Sequence, residues 1–145
     1  ASQDNLARDF NVTADLLLAQ CVERTYDLIV LPGGIPGAEN LQQSEVLAAL
    51  LDRQRRDGRL YGAICAAPAL VLERQGLLAG KKATCHPGFV GHLADQSSSG
   101  ERVVCDGNCV TARGAGVSVD FALELLGRVA GEEVRRAVAK AMVVE

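Results

Sequence analysis

The sequence is poor in aromatic side chains and has no surplus of basic ones. It contains no Trp, three Phe and two Tyr among 145 residues, and its 15 Lys and Arg are outnumbered by 18 Asp and Glu. Nucleic-acid binding depends largely on basic side chains that displace counterions, and single strands are held by stacking on aromatic rings. Because the chain is short of both, nucleic acid is excluded as a principal partner.

Long apolar runs are also absent. None approaches the roughly 18 residues that predict a membrane-spanning helix, and residues 1–11 lack the apolar centre of a secretory signal. Five cysteines is an odd number, which favours free thiols in a reducing compartment over a disulfide framework. We therefore expect a cytoplasmic protein with no membrane partner.

The remaining composition is that of one globular domain. Hydrophobic residues make up 48% of the chain, charged residues 23%, and the mean hydropathy is +0.12. A chain of this length and composition is too short for two ordinary domains and too apolar to be disordered. The sequence predicts a single domain over residues 1–145.

Strand and helix signals alternate along the chain. Short apolar runs bounded by Gly, Pro and Asp predict strands, and apolar stripes at helical spacing predict helices. Strands are predicted at 26–31, Leu60–Ile64, 82–85, 103–105 and 109–111. Helices are predicted at 44–56, capped by Ser44 with Val46, Leu47, Leu50 and Leu51 as its apolar stripe, and at 65–72, 118–129 and 132–143. This order predicts an α/β sandwich with a mostly parallel sheet.

The first part of such a fold is weakly represented. Before Tyr26 there is one weak strand candidate, 10–13, and a short apolar stretch, 16–22. A doubly wound fold normally opens with a strand and a helix. We expect that this strand and helix lie outside the chain, and that a separate N-terminal fragment is a partner of the fold.

Cys65 is the leading candidate for a reactive residue. It stands between an apolar strand and a helix of small residues, where a sharp turn presents a side chain at the sheet edge. The N–H groups of Ala66 and Ala67, at the start of that helix, favour a thiolate. The alternative is a buried, inert cysteine, and the spacing alone leaves the two open.

Three other segments are candidates for the same site. Gly33 and Gly34 end the first predicted strand and present backbone N–H groups to a ligand, unless they form only a turn. His86 ends another strand as a possible base or proton shuttle, or as an ordinary surface residue. Arg113 precedes a helix and is suited to an anion or a partner's carboxylate, with a solvated side chain as the alternative.

A metal site is not predicted. Cys85, His86, Cys105 and Cys109 have the chemistry of zinc ligands, but only Cys105 and Cys109 are close in sequence, and they flank a predicted hairpin. We expect neither a metal nor another cofactor.

Taken together, five segments resemble the ThiJ/PfpI superfamily. They are YDLIVLPGG at 26–34, GAENL at 37–41, AICAAP at 63–68, His86-Pro87, and TARGAG at 111–116. Within the superfamily the chain is most similar to the branch of the human Parkinson's-linked protein deglycase and bacterial YajL. The protease branch has a His after its reactive Cys, and this chain has Ala66 there.

The resemblance implies a flavodoxin-like three-layer sandwich and a homodimer. It implies that Cys65 is the reactive cysteine, with His86 nearby, and that the amides of Gly34 and Ala66 bind an oxyanion. Arg8 and Arg113 match arginines near the site or the dimer interface. The family's acidic partner of the cysteine has no counterpart in this sequence.

The resemblance also implies a function. The leading hypothesis is glutathione-independent glyoxalase or protein deglycase activity, in which Cys65 attacks a small 2-oxoaldehyde or a glycated substrate. The alternative is a redox sensor or chaperone in which Cys65 is oxidised to a sulfinic acid without turnover. A hydrolase is less well supported, because no Ser-His-Asp or Cys-His-Glu order is found.

Overall fold

The computed structural model describes residues 4–6 and 10–144, with side chains described from residue 12 onward. The strands are β1 (Asp4–Leu6), β2 (Phe10–Val12), β3 (Leu28–Leu31), β4 (Leu60–Ile64), β5 (Val103–Asp106) and β6 (Cys109–Ala112). The α-helices are α1 (Gly37–Gln42), α2 (Glu45–Arg56), α3 (Ser118–Ala130) and α4 (Glu132–Ala141). Shorter helical segments are the 3-10 helices Leu18–Cys21, Pro87–His92 and Ala115–Val117 and the π-helix Pro68–Glu73.

The main sheet has the strand order β3-β4-β6-β5. β3, β4 and β6 are parallel, and β5 pairs with β6 in the antiparallel direction. β1 and β2 form a separate antiparallel pair. The mostly parallel α/β sheet expected from the sequence is confirmed, as is the hairpin, whose two-residue turn is Gly107-Asn108.

Alternate residues of the central strands face two different apolar cores. In β4, Tyr61 and Ala63 face the core that α1, α2 and the π-helix cover. Ile64 faces the second core, which is centred on α3. β6 follows the same period of two, with Cys109 on the first side and Val110 on the second. Helices therefore cover both faces of the sheet, which gives the three layers.

Gly62 allows α3 to lie close against the sheet. A Cβ at this position would stand 2.9 Å from the Val110 carbonyl oxygen and 3.3 Å from the Phe121 ring. Both are tighter than ordinary van der Waals contacts, and the first involves backbone that cannot easily move. The spacing between the sheet and α3 therefore depends on the absence of a side chain here.

We predict that Gly62→Ala destabilises the protein because the added methyl group overpacks this contact. The expected loss in the free energy of unfolding is about 1–3 kcal/mol, measured as a lower urea midpoint. Gly37→Ala is the matched control, since a Cβ there meets nothing within 4 Å and alanine favours the helix. Equal midpoints for the two variants would contradict the prediction.

Helix α2 is confirmed, with one correction to its buried stripe. Ser44 Oγ accepts a hydrogen bond from the Leu47 N–H at 3.2 Å, as expected of an N-cap. Leu47, Leu50 and Leu51 are buried, but Val46 is 38% exposed. The fourth inward position is taken instead by Gln54, which is 1% exposed.

Gln54 joins the sheet to the segment before β3. Its Nε2 donates to the carbonyl oxygens of Tyr26 at 2.8 Å and Leu60 at 2.9 Å. Arg53, its neighbour, donates to the carbonyl oxygens of Val22 and Arg24. Two side chains of α2 thus fix the chain that leads into the first strand of the sheet.

The strand predicted at 82–85 is wrong. The N–H of Lys82 donates to Asp106 Oδ2 at 2.8 Å, and that of Thr84 donates to Thr111 Oγ1 at 3.0 Å. Side-chain oxygens occupy these donors, so no regular ladder forms, although Ala83, Thr84 and Cys85 are buried as in a strand.

The helix predicted at 65–72 is displaced along the chain. The regular part is the π-helix Pro68–Glu73, so Cys65 lies before the helix. Proline is tolerated in a first turn because an N–H at that position would have no partner within the helix.

The strand predicted at 26–31 is shorter and covers Leu28–Leu31. The helices predicted at 118–129 and 132–143 are confirmed as α3 and α4, with Gly131 between them.

Strand β3 has a neighbour on one side only among the described residues. Its Val30 is 42% exposed, although the segment LIVL is as apolar as a buried parallel strand.

No helix in the described part of the chain combines the length and the apolar character needed to cross a bilayer.

Candidate functional site

Cys65 lies at the carboxyl end of β4 in a strained turn. Its φ of 66° is in the left-handed region, which non-glycine residues rarely adopt. Such a conformation costs about 1–3 kcal/mol and persists here because both backbone groups are held. The Cys65 N–H donates to the Ala112 carbonyl at 2.9 Å, and its carbonyl accepts from the His86 N–H at 2.7 Å.

Gly33 packs directly against the Cys65 side chain. A Cβ on Gly33 would be 2.5 Å from Cys65 Cβ and 3.2 Å from its Sγ. Only glycine fits at this approach, so the end of β3 forms one wall of the thiol's surroundings. Gly34 follows with φ +88°, a conformation that also favours glycine.

Two backbone N–H groups beside the thiol are available to a ligand. Neither Gly34 nor Ala66 donates its N–H to any group in the described part of the chain. Gly34 adjoins the residue that touches Cys65, and Ala66 follows Cys65 itself. Unpaired N–H groups near a nucleophile are the chemistry of an oxyanion hole.

His86 is brought beside Cys65 by its backbone. Its exposed ring is fixed locally, because Nδ1 accepts a hydrogen bond from the Gly88 N–H at 3.1 Å. An Nδ1 that accepts carries no proton, so the neutral ring has its proton on Nε2 and presents a donor there. Gly88 permits this approach, since a Cβ would be 3.2 Å from Nδ1.

Arg113 follows Ala112, the residue that accepts from Cys65, so its backbone reaches the same edge of the sheet. Its exposed side chain donates from Nη1 to the Gly100 carbonyl at 3.4 Å. Arg8, the other predicted arginine, lies outside the described residues. The structure thus brings Gly33, Gly34, Cys65, Ala66 and His86 together, with Arg113 at the margin.

Three of the other cysteines are poorly suited to be nucleophiles. Burial raises the pKa of Cys85 to about 11 and that of Cys109 to about 12. Partial burial and then a hydrogen bond to Glu124 raise the pKa of Cys105 to about 11. Cys21 ends a 3-10 helix and donates its S–H to the Leu17 carbonyl at 3.6 Å.

No metal centre is found among residues 4–6 and 10–144. Within that range, no three His, Cys, Asp or Glu side chains converge in a way that could hold an ion. Cys109 is buried and points into the first core, whereas Cys105 is exposed on the neighbouring strand.

A family model matches residues 2–128, which include every element described above from β1 to most of α3. The model is that of the DJ-1/PfpI family. The chain belongs to the DJ-1/PfpI family. The resemblance seen in the sequence is confirmed.

Relatives in this family cover nearly all of the chain. Protein DJ-1 homolog B of Arabidopsis thaliana is 46% identical over 138 residues, which are 95% of this chain and 32% of that protein. Protein dj-1beta of Drosophila melanogaster is 38% identical over 140 residues, 95% of this chain and 74% of the relative. The chain spans about a third of the length of the Arabidopsis relatives it matches.

One relative carries the name of an activity. Glutathione-independent glyoxalase DJR-1.2 of Caenorhabditis elegans is 32% identical over 133 residues, 88% of this chain and 68% of that protein. Among solved structures, DJ-1beta of Drosophila melanogaster has a TM-score of 0.89 at 36% identity, covering 94% of this chain and 74% of that one. Oxidised DJ-1 of Toxoplasma gondii has a TM-score of 0.87 at 37% identity, covering 92% and 73%.

Two residues of this DJ-1/PfpI site were missed in the sequence. Gly88 could have been noticed, because a glycine two residues after a His allows the backbone to cap its ring. Cys85 was considered only as a metal ligand, and the hydrogen bond that brings its neighbour His86 to Cys65 joins segments that the sequence does not show to be close.

We predict that iodoacetamide at neutral pH alkylates Cys65 before the other cysteines of this family member. Cys85, Cys105 and Cys109 remain protonated thiols at that pH, because their pKa values lie near 11 to 12, and thiolates are the reacting species. Peptide mapping over time gives the order. Raising the pH toward 11 is expected to bring the alkylation rate of the exposed Cys105 closer to that of Cys65. Labelling of Cys21 or Cys105 before Cys65 at neutral pH would contradict the assignment.

Proposed function

We propose that this DJ-1/PfpI protein converts small 2-oxoaldehydes to 2-hydroxy acids without glutathione, with Cys65 as the nucleophile. The observation that carries the proposal is the pairing of a strained, half-buried thiol with two N–H groups that have no partner among the described residues. The glyoxalase name of the Caenorhabditis elegans relative supports the same chemistry.

The first step is addition of the thiol to the aldehyde carbon. The Cys65 sulfur forms a bond to that carbon, the carbonyl π electrons move to oxygen, and the oxygen is protonated to give a hemithioacetal. The N–H groups of Gly34 and Ala66 stabilise the negative oxygen before protonation. The strained turn holds the sulfur at the sheet edge, so little reorganisation is needed when the substrate arrives.

The second stage moves a hydrogen within the bound substrate. A base removes the proton from the former aldehyde carbon, and the neighbouring keto carbon receives a proton, which leaves a thioester on Cys65. Water then releases the 2-hydroxy acid and restores the thiol. In this proposal the Nε2–H of His86 donates to a substrate oxygen, which is supported by the Nδ1 contact that leaves the proton on Nε2. No carboxylate in the described residues bonds to the Cys65 thiol.

The family resemblance implies that the base is an acidic side chain, and no acidic side chain of the described residues bonds to the Cys65 thiol. We also propose a cytoplasmic homodimer, with Arg8 and Arg113 near the interface or the site. Protein deglycation is the related activity, since it begins with the same attack on a carbonyl.

We predict that purified protein turns over methylglyoxal many times per Cys65 and that Cys65→Ser abolishes turnover, because a serine hydroxyl is a far weaker nucleophile at neutral pH. Production of lactate is the measurement. Cys105→Ser is the matched control and should retain activity, since Cys105 is exposed away from the site. Equal activity in Cys65→Ser would overturn the proposal.

We predict that His86→Ala lowers kcat by about 10²-fold, as expected for loss of a positioned proton donor. His86→Gln is expected to retain more activity than His86→Ala, because its amide N–H can replace the Nε2–H donor. Steady-state kinetics of both variants on methylglyoxal provide the comparison. The hydrogen-bond role would be wrong if the two variants lost activity equally.

A second candidate uses the same geometry without turnover. In a redox sensor or chaperone, Cys65 would be oxidised to a sulfinate, whose oxygens the Gly34 and Ala66 N–H groups can also bind. The solved structure of the Toxoplasma gondii relative is that of an oxidised protein, which supports this second candidate. Absence of methylglyoxal turnover, together with stoichiometric oxidation of Cys65 by peroxide, would select it.

A further inference from the structure

Cys85 is a fully buried thiol beside Cys65, and the proposed reaction has no use for it. The next residue, His86, donates its N–H to the Cys65 carbonyl at 2.7 Å. The nitrogen of that N–H is bonded to the carbonyl carbon of Cys85, so a single hydrogen bond joins the backbones at Cys65 and Cys85 although residues 82–85 form no ladder. Hydrogen-bonded backbone segments lie about 4.8 Å apart, and a disulfide needs Cα atoms about 4.4–6.8 Å apart.

The two thiols also interact through charge. After burial, the negative charge of Cys65 is the next cause of the raised pKa of Cys85. Neither Cys105 nor Cys109 shows an influence of Cys65 among the causes of its raised pKa. Of the three cysteines whose pKa is raised, Cys85 is thus the one that the charge of Cys65 affects.

We propose that Cys85 captures oxidised Cys65 in an intramolecular disulfide, so that the two thiols form a reversible redox pair that regulates the site. The proposal rests on Cys65 being the reactive thiol of the proposed function. It adds a role for a residue that neither the glyoxalase reaction nor sulfinate formation requires.

The chemistry needs a hydroperoxide as oxidant. The Cys65 thiolate attacks one peroxide oxygen, the O–O bond breaks, and Cys65 becomes a sulfenic acid. The leaving group is hydroxide or an alkoxide, which takes up a proton to give water or an alcohol. The Cys85 sulfur then attacks the Cys65 sulfur, the S–O bond breaks, and the thiol proton and the departing hydroxide form water. Two thiols and one hydroperoxide thus yield one disulfide, one water and one water or alcohol.

Burial gives the two cysteines different roles. Cys85 is shielded from solvent, so peroxide meets Cys65 first. The condensation competes with a second oxidation of Cys65, and because the pKa of Cys85 is about 11, its thiolate fraction and the disulfide yield should rise with pH below that value. Excess peroxide should favour the sulfinic acid instead.

The test is peptide mapping after treatment of the purified protein with one equivalent of hydrogen peroxide. Trypsin places Cys65 in peptide 60–74 and Cys85 in peptide 83–102. We expect a joined peptide with two hydrogen atoms fewer than the sum of the two, which dithiothreitol separates and whose yield rises between neutral pH and pH 9.

Variants identify the partner. Cys85→Ser should lose the joined peptide and accumulate sulfinic acid on Cys65 at lower peroxide doses, whereas Cys105→Ser should behave as the unmodified protein. If Cys65 is oxidised but no dose or pH joins it to Cys85, the redox pair is wrong and the nucleophile assignment stands. If Cys65 resists peroxide altogether, both the redox pair and the reactive-thiol assignment are wrong.

Discussion

The backbone of Cys65 is hydrogen bonded on both sides, to Ala112 and to His86, and its side chain is pressed against Gly33. These contacts join the ends of β3, β4 and β6 to a loop that is distant in sequence. They hold a cysteine in a left-handed conformation that non-glycine residues rarely adopt. The N–H groups of Gly34 and Ala66, which have no partner among the described residues, lie at the ends of the same strands.

The sequence could predict those parts of the fold that local signals specify. Strands β3 and β4, helices α2, α3 and α4, and the hairpin at Gly107-Asn108 were all predictable, because each is specified by local periodicity, caps and turn residues. Residues 82–85 were not, because their donors are taken by Asp106 and Thr111, which only tertiary folding brings near. The β-propensity of a segment does not indicate which hydrogen-bond acceptors distant segments will place beside its N–H groups.

The site was predictable in its members more than in its geometry. Cys65, Gly33, Gly34 and His86 stand at the ends of strands, where a parallel α/β sheet places its ligands. The displaced helix start at Pro68 was hidden, since small residues before a proline fit a turn as well as a helix. The closeness of Cys85 to Cys65 was hidden for a different reason, because it depends on a single long-range hydrogen bond made by the neighbouring His86.

The bonds made by Gln54 have a consequence for how this protein can vary. One side-chain nitrogen serves two carbonyl oxygens, at the start of β4 and before β3, in a place that water does not reach. A carboxylate of the same size would set like partial charges against each other, and an aliphatic residue would leave both acceptors unpaired. Chemical polarity, more than volume, thus restricts this position. This restriction lies at the amino ends of the strands, at the edge of the sheet opposite to Cys65.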